Sequence, residues 1–144
     1  GRQLTVHLPD DWRRFVTAAA ANADATEARE NLRPDFWVRR LTAESALKLA
    51  FKVDELEGVK VYVANNPGLG LMVPACLVDP PADGLVLVLA EYIDAGAVLF
   101  HGWCRDASAR ARYAPRAVVG RGPLLHVVPL KCLTNMRDLA PLLQ

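Results

Sequence analysis

Residues 54–64, D-E-L-E-G-V-K-V-Y-V-A, pass from Asp54, Glu55 and Glu57 through Gly58 into a run of β-branched and aromatic side chains. Acids and glycine favour a turn, and Val59, Val61, Val63 and Tyr62 favour an extended strand. Neither this run nor residues 85–90, L-V-L-V-L-A, alternates cleanly between core-facing and solvent-facing types. Strands of that kind need cover on both faces, so the two runs are expected as neighbours in one sheet.

Upstream, T-A-E-S-A-L-K-L-A-F offers Thr42 as a cap, Glu44 in the first turn, and Ala43, Leu47 and Ala50 on one side. This predicts a helix over 42–51, packed on the sheet. Residues 22–35 are polar, lack periodicity and contain Pro34, which predicts a loop with one short helical turn. Pro9, Asp10 and Asp11 start an earlier helix, in which Trp12, Phe15, Val16 and Ala19 recur at helical spacing to about Ala21.

Downstream, 71–73 and 97–103 read as further strands of the same sheet, set off by N-N-P-G, D-P-P-A-D-G and D-A-G turns. A short helix over 105–112, a strand over 124–128 and a last helix capped by Thr134 and reaching Leu142 complete the chain. The expected fold is α/β or α+β: a mixed, mainly antiparallel sheet of about five strands flanked by helices. The 144 residues suit one domain, with 1–41 as an N-terminal helical extension and 42–144 as the core.

Seventeen Lys and Arg oppose sixteen Asp and Glu, so no global field advertises nucleic acid or membrane, and any such binding needs a local patch. A 52% hydrophobic fraction allows a large core or a homo-oligomer contact. Cys76, Cys104 and Cys132 are widely spaced without a C-x-x-C pair, which favours neither zinc nor a disulfide framework and suits reduced thiols in a cytoplasm. No apolar run approaches the roughly 20 residues that span a bilayer, and no signal-peptide pattern opens the sequence.

From Thr42 to Leu142 the pieces follow one another in a recognisable order. A helix with an early Glu is followed by Asp54, Gly58, a strand, N-P-G, L-M-V-P, A-D-G-L-V-L-V-L, F-H-G-W and V-V-P-L-K-C-L-T-N-M-R-D-L. This order resembles small phage-type proteins of the PD-(D/E)XK nuclease superfamily. The resemblance implies that superfamily's core and a site in which two acids hold Mg²⁺ while a lysine two residues beyond the second acid activates water. It would make Glu44 the helix acid and Asp54 the first strand acid. Tyr62 then stands in the second acid's place and Ala64 in the lysine's. Lys60 shares strand parity with both and is the one substitute base, though about 13 Å of strand separates it from position 64.

A second constellation is basic. Arg105, Arg110, Arg112, Arg116 and Arg121 fall within 17 residues whose one acid is Asp106, with Tyr113 among them and Trp103 just before. Guanidinium groups suit phosphates, and aromatic faces suit exposed bases. Arg39 and Arg40 beside Phe36 and Trp37 form a smaller spot of the same kind. His7, His101 and His126 are scattered and read as packing residues; no serine or glycine pattern matches a nucleophile elbow or phosphate loop.

The expected function is therefore a non-catalytic, degenerate nuclease-like domain, phage-derived and acting in the host cytoplasm. It would bind a protein partner or nucleic acid without cofactor or membrane. The alternatives are an active Mg²⁺-dependent nuclease using Glu44, Asp54 and Lys60, or a virion structural or assembly protein.

Overall fold

The structure is a computed structural model and describes residues 3–15, 18, 36–75, 84–94, 96–118, 120 and 122–143. The elements are β1 (Leu4–His7), α1 (Phe36–Phe51), β2 (Val59–Val63), β3 (Leu71–Pro74), β4 (Val86–Asp94), β5 (Ala97–Arg105), α2 (Asp106–Arg112), β6 (Arg116–Ala117), β7 (Leu124–Val128) and α3 (Ala140–Leu143). Residues 10–15 are also helical. The expected loop over 22–35, and most of the first helix beyond residue 15, lie outside the described residues.

Two sheets form instead of the single one expected. One has the order β1-β5-β4-β2 and the other β3-β7-β6. β4 and β5 make an antiparallel hairpin, β1 runs antiparallel to β5, and β2 lies parallel to β4 with Val59 opposite Val86 and Val63 opposite Ala90. The two apolar runs are thus neighbours. Their parallel sense follows from the connection: the chain leaves β2, forms β3 in the other sheet, and returns over a distance long enough for a crossover.

β4 shows why both faces needed cover. Val86, Val88 and Ala90 pack with Ala43, Ala46 and Leu47 of α1 and with Phe100 and Trp103 of β5. Leu87 and Leu89 pack the other way, against Leu71, Val73, Val128 and Leu133 of the second sheet and its flank. Strand alternation divides the residues between the layers, and each fully buried leucine contributes about 1.5–3 kcal/mol. The result is a helix, a four-stranded sheet and a three-stranded sheet stacked in that order.

Local signals failed where tertiary contacts override them. α1 begins at Phe36 rather than Thr42, whose hydroxyl donates to the Val38 carbonyl at 2.7 Å and so marks helix interior. The first element is a strand, β1, because Leu4 pairs with Phe100 and Val6 enters the core. Thr134 caps no helix. Its backbone exchanges hydrogen bonds with Trp103 at 3.1 and 2.8 Å, and a 3-10 turn at Met136–Leu139 leads into α3.

That Trp103–Thr134 contact also explains the glycine of F-H-G-W. Gly102 has φ +153°, and a Cβ there would lie 2.6 Å from Leu133 Cβ and 2.9 Å from the Thr134 oxygen. Opposite it the register shifts: Leu89 faces Gly102 while Ala90 faces Phe100, which leaves His101 as the extra residue of a β-bulge.

Candidate functional site

β2 carries the positions at which the nuclease resemblance would place chemistry. Val59, Val61 and Val63 face the α1 side, whereas Tyr62 and Ala64 pack on the side of Leu87 and Leu89. Lys60 Nζ sits 5.1 Å from the centre of the Tyr62 ring, so the amine is engaged by an aromatic face two residues on. Glu44 belongs to α1, on the opposite face of β2, and accepts from Arg40 Nε at 2.9 Å. Asp54 is exposed in the turn after α1. The sheet therefore separates Glu44 from Lys60, Tyr62 and Ala64. Among the described residues, no three His, Cys, Asp or Glu side chains gather as metal ligands.

The structure assembles a polar row that sequence reasoning missed. His101, at the bulge, has a side chain only 7% exposed, and its Nε2 lies 3.0 Å from Glu91 Oε1. Its Nδ1 lies 3.2 Å from Gln3 Nε2. With the Gln3 amide donating to Nδ1, the ring proton resides on Nε2 and is donated to the carboxylate. Two strands and the residue just before β1 meet in this row, which explains why spacing along the chain gave no sign of it.

The arginine segment is partly neutralised from within. Asp106 opens α2 almost fully buried, its N–H donating to the Leu85 carbonyl and its Oδ2 accepting from Arg110 Nε, both at 2.9 Å. Ala109 anchors the same helix in the second core layer. Arg105, Arg112 and Arg116 are exposed around this anchor. Arg121 lies outside the described residues.

The aromatic neighbours are less available than the sequence suggested. Trp103 is 8% exposed and donates Nε1–H to the Asn135 carbonyl at 2.8 Å, so it is a core residue rather than a stacking platform. Tyr113 is half-buried; its carbonyl is hydrogen-bonded by His126 Nδ1. A side-chain hydrogen bond with Cys132, then burial, raises the Tyr113 phenol above its ordinary range. Burial, then the Asp106 charge, pushes the nearby Cys104 thiol up to about 11. In the smaller basic spot, the Arg39 guanidinium lies 5.1 Å from the Tyr92 ring centre and Arg40 pairs with Glu44. The side chains of Phe36 and Trp37 lie outside the described part of the structure.

Comparison with protein-family models, curated proteins and solved structures finds no match to this chain. No helix of the described residues is long and apolar enough to cross a membrane.

Proposed function

We propose that this chain is a non-catalytic, nuclease-like binding domain that holds a nucleic-acid backbone against α2 and β6. The observation that carries the reading is the placement of Asp106. As the one acid of the segment it is buried and paired with Arg110, so Arg105, Arg112 and Arg116 present their charge outward uncancelled by it. Guanidinium forks at such positions suit phosphate oxygens and carry no base preference of their own.

The non-catalytic part of the reading is supported by β2. Tyr62 and Ala64 turn toward an apolar layer, and the helix bearing Glu44 lies behind the sheet. An acid pair around a hard cation and a lysine at the attacking water would each supply part of a hydrolytic rate, and these positions offer neither. The nuclease-like ancestry and phage origin rest on the order of motifs between Thr42 and Leu142, and a cytoplasmic setting on the three widely spaced cysteines.

The test is titration of fluorescent single- and double-stranded oligonucleotides at several salt concentrations. Three phosphate contacts predict a log–log slope of about −2 to −3, shallower by almost one for each arginine removed at 112 or 116. Salt-independent binding, or none at low salt, would overturn the proposal. Oligonucleotides incubated with Mg²⁺ or Mn²⁺ are expected to stay intact; metal-dependent cleavage abolished by Asp54→Ala would establish the nuclease alternative instead.

A further inference from the structure

We infer that the outer edge of β1 docks an extended peptide of a partner protein, one in which apolar side chains alternate with carboxylates. The inference is independent of the arginine surface and begins from backbone pairing. Leu8 N–H donates to the Gly96 carbonyl at 2.8 Å, and β1 pairs with β5 in the register Leu4 to Phe100 and Val6 to Val98. In an antiparallel ladder, bonded pairs alternate with pairs whose groups point away. The N–H and C=O groups of Leu4 and Val6 are therefore used by β5, and those of Thr5 and His7 point off the sheet. β1 ends the strand order of its sheet, so among the described residues no strand meets that edge.

The edge opens into a groove of about 540 Å³ lined by Thr5, His7, Leu49, Phe51, Met136 and Arg137, among others. A second hollow of about 470 Å³ shares Leu49 and adds Trp12 and Phe15. Leu49 is 49% exposed and Phe15 53%, so an apolar strip runs beside unpaired backbone groups. The four residues L-T-V-H carry no lysine, proline or bulge at this edge. Strand addition supplies what such a site lacks: main-chain bonds to Thr5 and His7, and alternate side chains laid over Leu49 and Phe51.

Charge selects the occupant. No carboxylate lines the larger groove, and Arg137 is its one residue of fixed charge. A peptide carboxylate complements Arg137. A second copy of this chain would bring two linings of like charge together, and a nucleic acid cannot continue a β-ladder.

The probe is a fluorescent nine-residue peptide of alternating valine and glutamate, titrated against the full chain with amide exchange followed by NMR. Saturable binding tighter than about 1 mM is expected, with the Thr5 and His7 amides protected. Arg137→Ala should weaken binding about tenfold, as should N-methylation of alternate peptide amides, and lysine in place of glutamate should abolish it. Arg137 is exposed, so its variant is expected to fold normally. The inference fails if the peptide does not bind, if those two amides stay unprotected, or if N-methylation changes nothing. It also fails if the chain alone protects them in a concentration-dependent way, which would mark a homodimer edge.

Discussion

Arg110 Nε donates to Asp106 Oδ2 at 2.9 Å across one turn of α2, and this pairing splits the arginines into two kinds. Arg110 serves the fold, because removing it leaves a nearly buried carboxylate without its partner. Arg110→Ala is expected to lower stability by about 1–3 kcal/mol in urea denaturation. Arg112→Ala should stay within about 0.5 kcal/mol of the parent. Oligonucleotide affinity should fall for Arg112→Ala at unchanged stability, and equal denaturation midpoints for the two variants would contradict the distinction.

Gly102→Ala should destabilise the chain by about 1–3 kcal/mol, since the added methyl meets Leu133 and the Thr134 oxygen at a backbone φ that L residues rarely adopt. Thermal denaturation reads this directly. An unshifted midpoint would mean that the 133–134 segment yields to the methyl.

The thiols should differ in reactivity. Cys132 is exposed while Cys104 is partly buried with its pKa raised to about 11, so at pH 8 a maleimide or disulfide reagent should reach Cys132 first. Because folding raises the Cys104 value above 9.0, the folded state holds its proton more tightly. The sign then follows: this contribution is intact below about pH 9 and is lost as pH rises toward 11. Cys104→Ser should flatten the decline in stability across that window, measured in a Cys76→Ser background.

Introducing the acid and the lysine that the proposed nuclease-like reading would require, by Tyr62→Asp with Ala64→Lys, should not create a nuclease. Both positions pack toward the Leu87 and Leu89 layer, so the double variant should lose about 1–3 kcal/mol of stability. With Glu44 on the other face, Mn²⁺ titration should give no saturable site and oligonucleotides should remain uncut. Metal-dependent cleavage by this variant would show that the two new side chains can hold a metal without Glu44 on their face.

Breaking the Glu91–His101 pair tests the bulge. Glu91→Ala leaves the buried imidazole without an acceptor for its Nε2 proton, and a loss of about 1–3 kcal/mol is expected. Faster exchange of β1 amides should accompany it, because Gln3 holds the other ring nitrogen. Unchanged exchange in β1 would mean that backbone pairing with β5 secures that strand without help from the row.

Several features were fixed locally and were readable from the sequence. The unalternating run at 85–90 demanded cover on both faces and received it from α1 and the second sheet, whereas the run at 59–64 buries Val61 and leaves Lys60 exposed. β7 spans residues 124–128 as its β-branched and apolar run predicts, and α2 fills most of 105–112. Parity along β2 predicted that Lys60, Tyr62 and Ala64 share a side, and Lys60 indeed reaches the Tyr62 ring. Period and parity are properties of neighbouring residues, so they survive without knowledge of what packs where.

Tertiary structure alone decided which side of β2 α1 would cover, that β3 would leave for a second sheet with β7, and that β1 would close the far edge. It also buried Trp103 and Asp106, one against Asn135 and the other against Arg110, and brought Gln3, His101 and Glu91 into one row. Each of these depends on pairing between residues distant in sequence. Composition and spacing do not encode such partners, because many pairings satisfy the same local pattern and the shared burial of the assembled layers selects among them.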